Sequence, residues 1–307
     1  MTASFLPSRH RLTPQRVAAA VALSACAVIS LPAQATTPAA PVSASVDVAG
    51  QPMAYMKYGQ GEPVLIVHGI GGHKEDWTGL VQALAPTRTA YAVDMIGFGA
   101  SGKTAPAINI TLQAEALKAL MDQQGLKKAS LVGNSLGAWV VVTFATRYPD
   151  RVERLVLSDA AGLKVTLSGP PPVNFAPETV DEMQKLLQTV LASPWAQGRE
   201  FAEKALAGFK ASGEKETLAK LFAGFADKGS ADKPLDDLLP QVKAPTLVVW
   251  GAKDGLFPAP LADMVVGGLT GAAGGASKVL IQNASHFPQL DNPAEFNAAV
   301  LQFLGRR

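Results

Sequence analysis

Short apolar runs recur along the chain at wide spacing, with helix-like amphipathic stretches between most of them. The runs fall at residues 64–67, 90–93, 130–132, 155–157, 246–250 and 278–281. Continuous apolar runs bounded by glycine or proline suit strands buried on both faces of a parallel sheet. Before them, residues 45–48 and 53–58 alternate apolar and polar around Ala49-Gly50-Gln51, the pattern of an opening hairpin. Strands that alternate with helices predict an α/β fold: a mostly parallel central sheet of about eight strands with helices on both faces. The rhythm breaks once. Between residues 157 and 246 no strand pattern appears; Pro170-Pro171-Pro172 opens the gap and Pro234 and Pro240 close it. Inside it, residues 178–191, 199–209 and 214–225 repeat apolar side chains every three or four positions, as helices do. A helical cap insertion over 163–240 is therefore expected. It divides a core of residues 44–162 from its second part, 241–307.

The N-terminal 35 residues read differently. Arg9, Arg11 and Arg16 precede an uncharged apolar stretch over 17–31, and Ala33-Gln34-Ala35 supplies a small-x-small cleavage pattern. The apolar stretch is short of the roughly 20 residues that a span requires. An export signal over 1–35, followed by a Pro/Ala/Thr linker over 36–43, is the expectation, with a periplasmic or secreted destination. Leu23-Ser24-Ala25-Cys26 also resembles a lipobox, which would make Cys26 a lipidated first residue. Cleavage after Ala35 is favoured because the residues that follow Cys26 are more apolar than a lipoprotein tether. Cys26 is the only cysteine, so a mature chain cleaved at Ala35 has no thiol chemistry.

Composition narrows the function classes. Apolar residues make up 48% and charged residues 17%, a globular balance. The formal charge of +2 comes from the three N-terminal arginines; the remainder carries 24 basic against 25 acidic side chains. Without a basic patch, nucleic acid is not expected as a partner. The expected partner is a small-molecule substrate, and no oligomeric state can be read from the pattern.

The chemistry centres on Gly133-Asn134-Ser135-Leu136-Gly137, between an apolar run and a helical segment over 138–148. A serine on a tight strand-to-helix turn exposes its Oγ, and the helix start directs N–H groups and a positive dipole end at the same point. On the pentapeptide alone, a nucleophile and an ordinary turn are equal readings. A serine needs a base. Of the four histidines, His10 lies in the signal, and His286 follows the last predicted strand, where a parallel sheet presents functional groups. The base in turn needs an acid. Asp254, bracketed by Gly251 and Gly255 after the 246–250 strand, is preferred to its rival Asp159 after the 155–157 strand. Backbone N–H groups of Leu136 and Ile70 are the expected oxyanion donors, Ile70 from the loop His68-Gly69-Ile70-Gly71-Gly72, with Gly71 as the next choice there. His68 is expected to brace that loop, and His73 to face the cap or surface, with a substrate contact as an open role. No histidine or acidic cluster has ligand spacing, so neither metal nor cofactor is expected.

The order Ser135, Asp254, His286, the His68–Gly72 loop, the pentapeptide and the block Asp94-Met95-Ile96-Gly97-Phe98-Gly99-Ala100-Ser101 together resemble the α/β-hydrolase fold family. The segments 245–251 and 287–293 fit the same pattern, so the likeness runs from about residue 53 to 304 outside the cap. The resemblance implies acyl transfer to water through Ser135, and a buttressing role for the Asp94–Ser101 block. It implies first a carboxylic ester hydrolase on small to medium apolar esters. Carbon–carbon hydrolysis of ring-fission diketones and cofactor-free perhydrolysis are alternatives, as is, from another class, a non-catalytic binding module. Ser285 departs from the glycine common before the histidine. Phe175, Trp195, Phe201, Phe209, Phe222 and Phe225 are read either as an acyl pocket or as cap core.

Overall fold

The computed structural model describes residues 40–168, 171–226 and 231–306. The expected signal over 1–35, with Cys26, lies outside them. Eight strands form one sheet in the order β1-β2-β4-β3-β5-β6-β7-β8. They are β1 (Val42–Val48), β2 (Gln51–Gly59), β3 (Glu62–Val67), β4 (Arg88–Val93), β5 (Ala129–Asn134), β6 (Val152–Ser158), β7 (Thr246–Gly251) and β8 (Ala276–Ile281). β2 runs antiparallel to β1 and β4, and every other pairing is parallel. The linker expected over 36–43 ends too late, because Val42 and Ser43 already pair with Lys57 and Met56. Their exposed, short side chains hid a strand that has only one buried face.

Helices α1 (Thr78–Leu84), α2 (Ile110–Gln123), α3 (Leu136–Arg147), α9 (Leu261–Gly268) and α11 (Pro293–Leu304) cover the sheet. Alternation along the strands decides which face each residue serves. Leu65, Val67, Leu131 and Val248 meet α2, α3 and α9, while Val64, Ile66, Val132 and Val249 meet α1 and α11. Both sets are buried, which is why these strands read as unbroken apolar runs.

The insertion between β6 and β7 holds α4 (Lys164–Leu167), α5 (Val180–Val190), α6 (Arg199–Ser212), α7 (Glu214–Ala226) and α8 (Leu235–Leu238). α5 begins at Val180 and not at 178. Thr179 Oγ1 accepts the Glu182 N–H while Glu182 accepts the Thr179 N–H, a reciprocal cap that fixes the start. α8 packs on α3, and its Leu235 and Leu238 join the main core. α10 (Pro288–Asp291) is one turn just after the loop that carries His286. Among the described residues no helix is long and apolar enough to cross a membrane.

Candidate active site

Ser135 sits between β5 and α3 with φ 54° and ψ −119°, a conformation that costs a non-glycine residue on the order of 1–3 kcal/mol. The turn closes tightly around it. A Cβ on Gly133 would lie 2.3 Å from the Gly137 carbonyl oxygen, and one on Gly137 would lie 2.3 Å from that of Val67. Only glycine permits both approaches. The Ser135 N–H donates to the Ser158 carbonyl, and its own carbonyl accepts from Ala138, Trp139 and Ala161. The strained residue is therefore held by the neighbouring strand and by the helix it starts.

His286 and Ser135 line the same cavity, of about 340 Å³. His286 Nδ1 lies 2.9 Å from Asp254 Oδ2. The other Asp254 oxygen accepts the Leu256 and Phe257 N–H groups at 2.8 and 2.9 Å. The imidazole stands between the rings of Phe257 and Phe287, both edge-on at 5.1 and 5.3 Å. Asn134 Nδ2 donates to the His286 carbonyl at 3.0 Å, tying the serine turn to the histidine loop.

Asp159 does not replace Asp254 at the imidazole; it lies behind the pair. Asp159, Asp254 and His286 bring donor atoms within 4.8 Å of one another, the one such grouping among the described residues. Asp159 Oδ1 accepts the Gly251 N–H and Oδ2 accepts the Ser158 hydroxyl. Burial, then the charge of Asp254, pushes its carboxyl well above the usual carboxylate range. Protein donors meet both carboxyl groups.

The loop expected to supply a second oxyanion donor lies against the serine. A Cβ on Gly69 would come within 2.8 Å of Ser135 Cβ, and Ile70 lines the cavity beside Ser135. Leu136 is the first residue of α3 and adjoins a second cavity of about 560 Å³. His68 braces the loop: its Nδ1–H donates to the Gly69 carbonyl at 2.7 Å and its Nε2 accepts the Met95 N–H at 3.0 Å. Burial lowers its pKa to about 4, so the ring is neutral. Asp94 buttresses the same region by accepting the Lys74 N–H, the Lys74 ammonium and the Ala100 N–H. Burial alone would raise Asp94, but these donors outweigh it and hold the carboxyl low.

Ser285 turns out to be a link. Its Oγ donates to the Thr189 carbonyl at the end of α5, and its N–H donates to Asp291. Asp291 also accepts the Ala192 and Ser193 N–H groups, both at 2.9 Å. The histidine loop is thus fastened to the insertion. A second link runs from His73, which faces the insertion as expected, to a partner that no sequence signal marked. Glu214, the first residue of α7, is buried; its Oε1 accepts from His73 Nε2 at 2.9 Å and the Gly99 N–H at 2.8 Å. His73 is raised by that partner. Burial would raise Glu214, but His73 and the Gly99 N–H outweigh it and hold the carboxylate low. The two residues are 141 positions apart, so no spacing signal could pair them.

The six aromatics of the insertion all face cavities. Phe175, Trp195, Phe201 and Phe209 line the first, and Phe175, Phe222 and Phe225 line the second. Among the described residues, no lysine or arginine lines either cavity.

An eight-stranded, mostly parallel sheet with a serine turn after β5 and a helical insertion after β6 defines an α/β hydrolase. The chain belongs to the α/β hydrolase fold family, whose model matches residues 62–293. It is 30% identical over 268 residues to the dihydrolipoyllysine-residue acetyltransferase component of an acetoin cleaving system from Pseudomonas putida, covering 86% of this chain and 70% of that one. It is 27% identical over 266 residues to a 2-hydroxy-6-oxo-6-phenylhexa-2,4-dienoate hydrolase from Comamonas testosteroni, covering 82% and 91%. Among solved structures, Est816, described as an N-acyl homoserine lactone degrading enzyme, matches with a TM-score of 0.69 at 25% identity, covering 85% of this chain and 100% of that one.

Proposed function

We propose that this hydrolase cleaves neutral carboxylic esters with apolar substituents through an acyl-enzyme on Ser135. The observation that carries the reading is the His286–Asp254 hydrogen bond at a cavity shared with the strained Ser135. Ser135 Oγ attacks the ester carbonyl carbon as His286 Nε2 takes its proton. Asp254 holds the imidazole in the tautomer that leaves Nε2 free to accept, and stabilises the imidazolium. The N–H groups of Leu136 and Ile70 receive the oxyanion; losing one such donor costs on the order of 3 kcal/mol in the barrier. His286 then protonates the departing alkoxide and activates the water that releases the acid. Export to the periplasm or beyond belongs to the same proposal and rests on the pattern of residues 1–35.

A specific feature favours esters over ring-fission diketones. The Comamonas relative acts on a dienoate, which is an anion. Here, among the described residues, neither cavity is lined by lysine or arginine, and the one at His286 is lined by Asp76 and Glu214. An anionic substrate would meet carboxylates there and no free cation. The lactone named for Est816 is a neutral cyclic ester and suits such walls.

The test is a panel of p-nitrophenyl esters of graded chain length, run on wild type and Ser135→Ala beside a dienoate diketone. Ester turnover that depends on Ser135 and has a chain-length optimum supports the reading. Diketone turnover without ester turnover transfers the protein to carbon–carbon hydrolysis; binding without any turnover makes it a binding module.

A further inference from the structure

We infer that the leaving alcohol of the substrate occupies the cavity at His286 and carries a second hydrogen-bond donor that meets the polar wall of that cavity, while the acyl group fills the second cavity. This rests on the acyl-enzyme reading above and assigns the two halves of its ester. The tetrahedral carbon bears four groups: Ser135 Oγ, the oxyanion, the acyl substituent and the leaving oxygen. The oxyanion is turned to the Leu136 and Ile70 N–H groups. When the carbonyl reforms, the carbon–oxygen bond to the alcohol breaks and the alkoxide takes the proton that His286 removed from Ser135. The leaving oxygen must therefore be within hydrogen-bond reach of the imidazole.

The two cavities share Ser135, Ile70 and Phe175, but His286 lines only the one of about 340 Å³. That cavity takes the alcohol. The other, about 560 Å³, is walled by Trp139, Phe222, Phe225 and Leu261 and, among the described residues, by no titratable side chain. It suits an apolar acyl group larger than the alcohol.

The alcohol cavity is lined by the apolar Leu186, Leu187 and Phe209 and by the polar His73, Asp76 and Glu214. Its one basic lining group other than His286 is His73, which Glu214 already engages. Glu214 is only 2% exposed, so its carboxylate is positioned by the protein and screened from bulk water. A bare alkyl terminus there leaves polar groups facing hydrocarbon, and an anion meets like charge. A hydroxyl or ammonium terminus gains a charge-assisted hydrogen bond. The substrate class is an apolar acid esterified to one end of a bifunctional alcohol whose other end is a donor.

The test compares octanoate monoesters of α,ω-diols, octanoates of alkyl alcohols of equal length, and octanoates of ω-amino alcohols. For wild type, kcat/KM at one spacer length should exceed that of the alkyl ester by about tenfold or more, as a bond to a charged group provides. The diol and amino arms identify which donor is used. Glu214→Gln should collapse the donor-to-alkyl ratio toward one, most in the amino series. Gly208 lines this cavity, and a Cβ there meets nothing within 4 Å. Gly208→Leu should therefore depress long-chain alcohol esters relative to ethyl esters of the same acid, with no such discrimination among acyl lengths. A ratio near one at every length, or acyl-length discrimination by Gly208→Leu, overturns the inference while Ser135-dependent hydrolysis leaves the esterase reading standing. Loss of all ester turnover defeats both.

Discussion

Asp254 and Asp159 differ in company. Asp254 holds the histidine and two backbone N–H groups, whereas Asp159 accepts from one N–H and one hydroxyl and is pushed well above the usual carboxylate range by burial and by the charge of Asp254. Asp254→Asn should lower kcat by about 10³- to 10⁴-fold, since an amide favours the wrong tautomer. Asp159→Asn leaves the His286–Asp254 bond in place and should cost under about tenfold; steady-state kinetics of the two variants with the reverse ranking would assign the acid to Asp159. His68 gives a pH prediction. Its folded pKa of about 4 lies below the unfolded 6.5. The unfolded chain therefore binds the proton first, and stability falls as pH drops from about 6.5 toward 4. The loss, on the order of 3 kcal/mol, should be visible as a steeper decline of Tm in wild type than in His68→Gln; parallel curves would remove His68 from the account. That Asp254 and His286 would meet at the Ser135 turn was legible in the sequence because only four histidines were available and the acid and the base each follow a predicted strand. The role of Glu214 was not, because its partners come from a loop far away in the chain.

The strands and the insertion helices were legible for a different reason: periodicity records burial, and burial is what the sheet and cap impose. The edges were less so. β1 begins inside the expected linker because its side chains are mostly exposed. What periodicity omits is how elements are fastened. Asp291 accepts three N–H groups, from Ser285, Ala192 and Ser193, and so joins the histidine loop to the end of α5. Ser285 adds a fourth bond to Thr189, which gives the unusual serine before the base a structural use. Asp291→Ala leaves those donors without their acceptor and should cost roughly 3 kcal/mol. Thermal denaturation should show a Tm lower by about 5–10 °C, with kcat reduced because the histidine loop loses its anchor. An unchanged Tm would mean that water replaces the carboxylate at no cost.

The molecule as a whole sets a buried parallel sheet beneath an insertion, and the candidate site lies where serine turn, histidine loop and insertion meet. Two apolar cores, one on each face, hold the strands, and the one around α3 also gives Leu136 and Trp139 to the wall of the second cavity, so the framework that bears the strain at Ser135 continues into the cavity walls. The insertion contributes all six of its aromatics to cavity walls, so a likeness in the core gives the family and leaves the shape of the cavities to the insertion. The central claim is an activated Ser135. Intact-mass spectrometry after treatment with a fluorophosphonate, followed in parallel with p-nitrophenyl ester turnover, tests it most directly. The account predicts one adduct, located on Ser135, formed at the rate at which activity disappears, and neither labelling nor turnover in Ser135→Ala. Full activity in a fully labelled protein, or comparable ester turnover by Ser135→Ala, would contradict it.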